Sequence, residues 1–360
     1  MIRVLKVLAR PVRGRQARHG LVLRCNRGYG TRDEVFVIGR VFRQSRRNAP
    51  ARSDSLVDQL REVRRRIVRR SVPGACVIAE FYGTRQRVIA DPDGYFRVHL
   101  PPREAPDPEA LWHMMDLHLE DHPAVLTRAV VYIPPDRCRF VVISDIDDTV
   151  METGVANKLK MLWRLFVEDA ESRVPFPGVA ALYRALHAGA SGSEANPMLY
   201  VSRAPWGIYD ILDEFFTRHD IPAGPIMFLR EWGVSWTWPF PRKAEHHKRD
   251  LIDHMMSLYC DLPVVLIGDS GQHDPEIYRR VVEDHPGRVL AVYIRNVSRN
   301  ASRIREIDEL AEAVRASGSD LVIAANSTAI AEHASRLGLI PTSAIWSVEK
   351  DVARDVGKGA

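Results

Sequence analysis

Apolar residues recur along the chain with two different rhythms. Up to about residue 138 they fall in short β-rich runs, GLVLRCN, EVFVIGRVF, ACVIAEFYG and YFRVHLP. Turn signals separate these runs, among them GYG at 28–30 and Asp91-Pro92-Asp93-Gly94. Such punctuated runs predict an antiparallel sandwich or barrel. One segment, SDSLVDQLREVRRRIVRR at 53–70, changes period: Leu56, Leu60, Val63 and Ile67 recur at helical spacing behind Ser53 or Asp54 as N-cap. From Arg139 onward strand and helix patterns alternate. The strand candidates are FVVISD, PMLYVSR, IMFL, PVVLIGDS, VLAVYIR and DLVIAAN. Between them lie the helical patterns KLKMLWRLF, VAALYRALHAG, GIYDILDEFFTRH, KRDLIDHMMSLY, RIREIDELAEAVRASG and STAIAEHASRLG, with Gly189, Gly318 and Gly338 where C-caps belong. Continuous apolar strands between amphipathic helices predict a parallel sheet covered on both faces. The expected fold class is therefore α/β. A Rossmann-like parallel sheet occupies residues 139–350, and a smaller β-rich, sandwich-like domain occupies residues 1–138.

Composition adds limits. A length of 360 residues exceeds one average domain, and 46% apolar residues is ordinary for a globular chain. No apolar run reaches the roughly 18 residues of a transmembrane helix. The basic start, MIRVLKVLARPVRGRQ, has its apolar stretch broken by Lys6, too early for a signal-peptide core. Cys25, Cys76, Cys138 and Cys260 form no CxxC pair, which argues against structural zinc and fits a reducing compartment. The expected location is cytoplasmic, extended to the membrane periphery if the basic segment binds lipid.

The charge is unevenly spread. Residues 1–70 hold 20 Lys and Arg against 5 Asp and Glu, a net of +15, while the rest of the chain carries −10. The basic excess reads as a solvated Arg-rich surface or as attraction to an anionic membrane; nucleic acid is the less expected partner. The 53–70 pattern likewise reads as a surface helix on the sheet or as an amphipathic helix touching anionic lipid. GYG by itself is too weak to indicate nucleotide binding.

The ends of the strands carry the chemistry. The first ends in Asp145-Ile146-Asp147-Asp148-Thr149, the second in Ser202-Arg203, and PVVLIG ends in Asp269 with Asp274 five residues on. Lys248 precedes that last strand by one helix. In a parallel sheet the carboxyl ends of the strands converge on one crevice, so four carboxylates, a hydroxyl and an ammonium meet there. Asp145 and Asp147, two apart at a strand end, share a face. One is placed to attack an electrophile while the other gives a proton to the leaving group and later activates water. Close ionised carboxylates need a cation, and Mg2+ suits an oxygen-donor site that also takes a phosphate. Ser202 and Lys248 would then hold phosphoryl oxygens. Asp148 reads as a solvent-exposed or helix N-terminal charge. Arg203 and Arg295 each read as a substrate contact or a salt bridge, and His246 and His247 as local surface residues.

DIDDT, a Ser after the next strand, a downstream Lys and GDSGQHD together resemble the four motifs of the haloacid dehalogenase superfamily of phosphohydrolases. The longer words ISDIDDTVMETGV, YVSRAPWGIYDILDEFF, LREWG, HKRDLID and VLIGDSGQHDPEIY resemble the catalytic domain of actin-patch-protein-type phosphatidate phosphatases, over roughly residues 139–345. The resemblance implies a catalytic domain of haloacid dehalogenase type, Mg2+ as cofactor, and phosphatidate or another lipid phosphate at a membrane surface as substrate. It implies that Asp145 becomes the aspartyl phosphate, that Asp147 is the general acid/base and binds the metal through its carbonyl, and that Asp145 and Asp269 complete the metal shell. Thr149 orients the phosphate loop, Ser202 and Lys248 hold phosphate, and Asp274 supports. Aspartate at 147, in place of threonine, implies phosphatase over pump-like ATPase chemistry.

Between Ser202 and Lys248 the segment LREWGVSWTWPFPRKAEHHK gathers Trp232, Trp236 and Trp238 without a clean period. It reads as a lid that meets lipid or as an aromatic mini-core. Two other functions stay open at this level: a phosphatase of a soluble phosphomonoester, and a lipid- or nucleic-acid-binding adaptor with a vestigial phosphatase domain.

Overall fold

β-branched and aromatic residues at alternate positions put one face of each early strand into a core. The computed structural model describes residues 20–44, 70–146, 176–202, 209–228, 244–270, 273–297 and 301–358. Two compact units divide after Asp136. Among the described residues, the first is a nine-stranded mixed sheet of β1 (Leu21–Cys25), β2 (Gly28–Gly30), β3 (Val35–Arg43), β4 (Arg70–Ser71), β5 (Cys76–Phe81), β6 (Thr84–Ile89), β7 (Tyr95–Leu100), β8 (Trp112–Leu119) and β9 (Leu126–Tyr132). Its order is β1-β3-β2-β9-β8-β5-β6, with β4 and β7 also paired to β3. Val35, Val37 and Val41 of β3 pack with Val77, Phe96, Met115, Leu117 and Val131 in its core.

The four predicted runs are strands β1, β3, β5 and β7. GYG, expected to be a turn, is strand β2, antiparallel to β3 and parallel to β9. Its glycines serve close approach: a Cβ at Gly28 would lie 2.6 Å from the Phe36 carbonyl oxygen, and one at Gly30 would lie 2.3 Å from that of Glu34. The Asp91–Gly94 turn forms as expected. The Asp91 carboxylate accepts from the N–H groups of Asp93 and Tyr95 at 3.0 and 2.8 Å. The helix expected at 53–70 lies outside the described residues, apart from Arg70, which begins β4.

Among the described residues, the second unit is a six-stranded parallel sheet of β10 (Val141–Asp145), β11 (Met198–Ser202), β12 (Ile226–Phe228), β13 (Val264–Asp269), β14 (Val289–Arg295) and β15 (Asp320–Ala324). All six predicted strands form, and β10, β11, β12 and β13 are buried along their whole length. That burial is why they read as unbroken apolar runs. The helices are α1 (Val179–Ala188), α2 (Tyr209–Arg218), α3 (Ala244–Leu258), α4 (Asp274–Asp284), α5 (Ala301–Ala316), α6 (Ser327–Arg336) and α7 (Ser343–Lys358). Helices α4 and α7 were not anticipated, and the KLKMLWRLF pattern lies outside the described residues. Gly189, Gly318 and Gly338 all take positive φ, as the predicted helix ends require. Among the described residues no helix is long and apolar enough to cross a membrane.

The sheet order is β12-β11-β10-β13-β14-β15. The chain steps outward from β10 in one direction, then returns to β13 and steps outward in the other. Strands β10 and β13 therefore flank the point where the order reverses, the place where a doubly wound sheet opens a crevice.

One fully buried side chain fixes the entry to β10. The Asn196 side-chain oxygen accepts from the N–H groups of Arg139 and Phe140 at 2.9 and 3.3 Å. Its amide nitrogen donates to the Leu186 carbonyl and to Glu194, both at 2.9 Å. Asn196→Ala strands these groups in the interior, so it is expected to destabilise the protein by about 3 kcal/mol. Urea denaturation of the two proteins, followed by circular dichroism, measures the difference.

Candidate active site

Asp145 is the last residue of β10 and Asp269 the last of β13, so the reversal point carries a carboxylate on each side. Asp274 opens α4, and Lys248 sits in the second turn of α3. Carboxylate oxygens of Asp145, Asp269 and Asp274 lie within 4.8 Å of one another. The Lys248 ammonium stands 3.2 Å from Asp145 Oδ1 and 2.5 Å from Asp274 Oδ1. All four side chains are fully buried. The second oxygen of Asp274 accepts the backbone N–H of Asp269 at 3.2 Å. One carboxylate thus holds both the ammonium and the strand end.

Gly268 permits this arrangement. A Cβ there would lie 2.3 Å from Asp274 Oδ2 and 2.8 Å from both Asp274 Cβ and Tyr278 Cε2. The VLIGD segment therefore has a glycine where α4 closes on the strand.

Two buried tyrosines line the cluster. Tyr278 of α4 donates to the Ile267 carbonyl at 3.1 Å, and the Lys248 ammonium lies 5.5 Å from its ring centre. Burial, and then the charges of Asp274, Asp145 and Asp269, push its hydroxyl well above the usual phenol range. Tyr183 of α1 shares a 2.6 Å hydrogen bond with Ser144, whose hydroxyl donates to the Asp145 carbonyl. Burial raises the Tyr183 hydroxyl to about 12, with the Ser144 hydrogen bond opposing the shift. Both phenols stay protonated at neutral pH.

Of the residues singled out in the sequence, Asp145, Lys248, Asp269 and Asp274 come together. Ser202 ends β11, buried beside β10, where Asp145 pairs in register with Val201. Arg295 ends β14 opposite Asp269 in register, buried, with its guanidinium 3.1 Å from the centre of the Phe176 ring. Asp147, Asp148, Thr149, Arg203, Trp232, Trp236 and Trp238 lie outside the described residues. Tyr183, Tyr278, Ser144 and Gly268 were missed. The Gly before Asp269 was a usable signal, because glycine inside a strand marks close approach of another element. The tyrosines read only as core residues.

The cluster falls within a stretch that has recognised relatives. Residues 140–296 match the family described as the phosphatidate phosphatase APP1 catalytic domain. The chain is 32% identical over 168 residues to the phosphatidate phosphatase APP1 of Saccharomyces cerevisiae, covering 46% of this chain and 27% of that protein. It is 29% identical over 163 residues to an uncharacterised protein of Schizosaccharomyces pombe, covering 45% of this chain and 26% of the other. The chain thus spans about a quarter of the length of the curated relatives it matches. Among solved structures, a carbohydrate acetylesterase from Xanthomonas citri aligns over 81% of this chain and 65% of its own, at 12% identity and a TM-score of 0.29, too low to carry an argument. By the sequence match and the yeast relative together, residues 140–296 of this chain are similar to the catalytic domain of APP1-type phosphatidate phosphatases.

Proposed function

We propose that this chain is a Mg2+-dependent phosphatase of haloacid dehalogenase type, hydrolysing phosphatidate or a related lipid phosphomonoester to diacylglycerol and phosphate. The observation that carries the reading is the buried group of Asp145, Asp269, Asp274 and Lys248 at the reversal point of a parallel sheet, within the stretch that matches the family. The domain division proposed is 1–138 and 139–350.

The donor set fits a hard divalent cation. Three carboxylates face one ammonium, which leaves an excess of negative charge in a site without solvent exposure. All the candidate ligands are oxygens, the preference of Mg2+. Asp145, Asp269 and the Asp147 carbonyl would hold the ion, with Asp274 supporting. When bound, Mg2+ supplies charge neutralisation of the phosphoryl oxygens.

The chain's own residues do the rest. The Asp145 carboxylate attacks phosphorus, the bond from phosphorus to the glycerol oxygen breaks, and Asp147 gives its proton to the departing alkoxide. Water, deprotonated by Asp147, then attacks the aspartyl phosphate, releasing phosphate and restoring Asp145. Ser202 and Lys248 hold phosphoryl oxygens, Thr149 orients the loop after β10, and Arg203 contacts the substrate. Lys248 also aims Asp145, because its ammonium is held from behind by Asp274. Trp232, Trp236 and Trp238 would contact the lipid substrate, and the basic N-terminal segment would attract an anionic cytoplasmic membrane surface.

Phosphate release with Mg2+, measured on phosphatidate in mixed micelles beside a soluble aryl phosphate, tests the reading. The expected result is release from the lipid that disappears in Asp145→Asn. Release from the aryl ester alone would keep the chemistry and discard the lipid; no release from either would favour a binding protein with an inactive phosphatase fold. Gly268→Ala forces Asp274 away from Lys248. It is expected to lower kcat by about a hundredfold while leaving the circular dichroism spectrum intact.

A further inference from the structure

We infer that Arg303, on α5, is a positioning residue that sets the affinity of the carboxylate cluster for its divalent cation. The inference rests on the metal-dependent reading above and concerns a residue outside the matched stretch of 140–296.

The chain leaves β13 at Asp269 and enters α4 at Asp274, so two cluster carboxylates sit at the two ends of one short connection. Ser270, the residue after Asp269, is buried and held through three of its groups. Its N–H donates to the Arg295 carbonyl at 2.9 Å, and its hydroxyl accepts from the N–H of Val297 at 3.0 Å. Its carbonyl accepts from Arg303 Nε at 3.2 Å. The first two bonds tie Ser270 to the end of β14. The third reaches beyond the neighbouring strand, to α5.

The same guanidinium grips α4. Arg303 Nη1 pairs with Glu276 Oε1, and Nη2 donates to Glu276 Oε2 at 3.0 Å. Glu276 lies two residues after Asp274, in the first turn of α4. Glu306, one turn on in α5, approaches Nη1 at 3.3 Å and steadies the arginine. One planar side chain therefore fastens the carbonyl behind Asp269 and the helix turn behind Asp274 at once.

Arginine is suited to this because its five N–H donors form a rigid fork. Two serve a carboxylate side by side while Nε serves the carbonyl. Lysine keeps the charge but cannot satisfy both partners in fixed geometry. The separation of the Asp269 and Asp274 carboxylates is then set partly from α5, and with it the position from which Asp269 would join Asp145 in holding a divalent cation.

Calorimetric titration of the full chain with Mg2+, and the electron paramagnetic resonance of bound Mn2+, read this directly without turnover. Wild type, Asp269→Asn, Arg303→Met, Arg303→Lys and Glu276→Gln are compared, each with its melting curve. The expected result is a Kd for Mg2+ raised about ten- to a hundredfold in Arg303→Met, as is usual when a group orienting a ligand is removed. A smaller rise is expected in Arg303→Lys and Glu276→Gln, with an altered Mn2+ signal in each. Wild-type affinity and signal in folded Arg303→Met would overturn the inference while leaving the metal site standing. If Arg303→Met does not fold, the same outcome in both Arg303→Lys and Glu276→Gln would overturn it. If wild type binds no Mg2+, or Asp269→Asn binds it equally well, the metal reading itself fails and takes this inference with it.

Discussion

An ammonium held between two carboxylates, with no solvent reaching any of the three, is the interaction on which the second unit is organised. Lys248 bridges Asp145 and Asp274. Burying an ion pair gains little over apolar packing, but leaving one member of it alone costs about 3–5 kcal/mol. The three residues come from β10, α3 and the first turn of α4, far apart in sequence. Moving one of these elements away from the others separates a buried charge from its partner. The position of α4 relative to β13 follows from this, and so does the glycine at 268, since any larger residue would push Asp274 off the ammonium.

The sheet supplies the frame in which that constraint can be met. Parallel strands aligned in register bring their carboxyl ends to one edge, and the strand order reverses between β10 and β13. Asp145 and Asp269 occupy the ends of these two strands. The buried tyrosines complete the walls: their hydroxyls are spent on Ile267 and Ser144, and their raised pKa values keep them from adding negative charge to a cluster already rich in it.

Much of this frame was legible because burial on both faces leaves a plain signature. FVVISD, PVVLIGDS and VLAVYIR are strands since nothing else accommodates such runs between amphipathic helices. The acids, the serine and the lysine stood out because polar residues directly after such runs have no packing role. What was not legible depended on neighbours in space. GYG reads as a turn by composition, yet its glycines are there so that β2 can lie against β3 and β9. Strands such as TRQRVI and WHMMDLHL carry too many polar residues for an apolar-run reading, because only one face of each is covered. Helix α4 was hidden behind the motif that precedes it. Arg303 resembles any arginine on a helical surface, and its partners become apparent only when α4 and α5 are placed side by side.

The double attachment of Lys248 bears on how the proposed chemistry would be timed. A lysine that only bound phosphate would be expected near the mouth of a crevice, hydrated until substrate arrived. Here the ammonium is fully buried and paired with the carboxylate proposed to attack. An incoming phosphoryl group would draw the ammonium toward its own oxygens and weaken the grip on Asp145 as that carboxylate begins to form its bond to phosphorus. Asp274 limits the excursion by holding the same nitrogen and, through its other oxygen, the backbone of Asp269. The charge that stabilises the resting carboxylate and the charge that would stabilise the transferring group are then one charge, held close to its working position before substrate binds. Preorganisation of this kind leaves only a short shift of the ammonium at the moment of reaction. It also explains why a phosphatase would tolerate so expensive a burial at the centre of its fold.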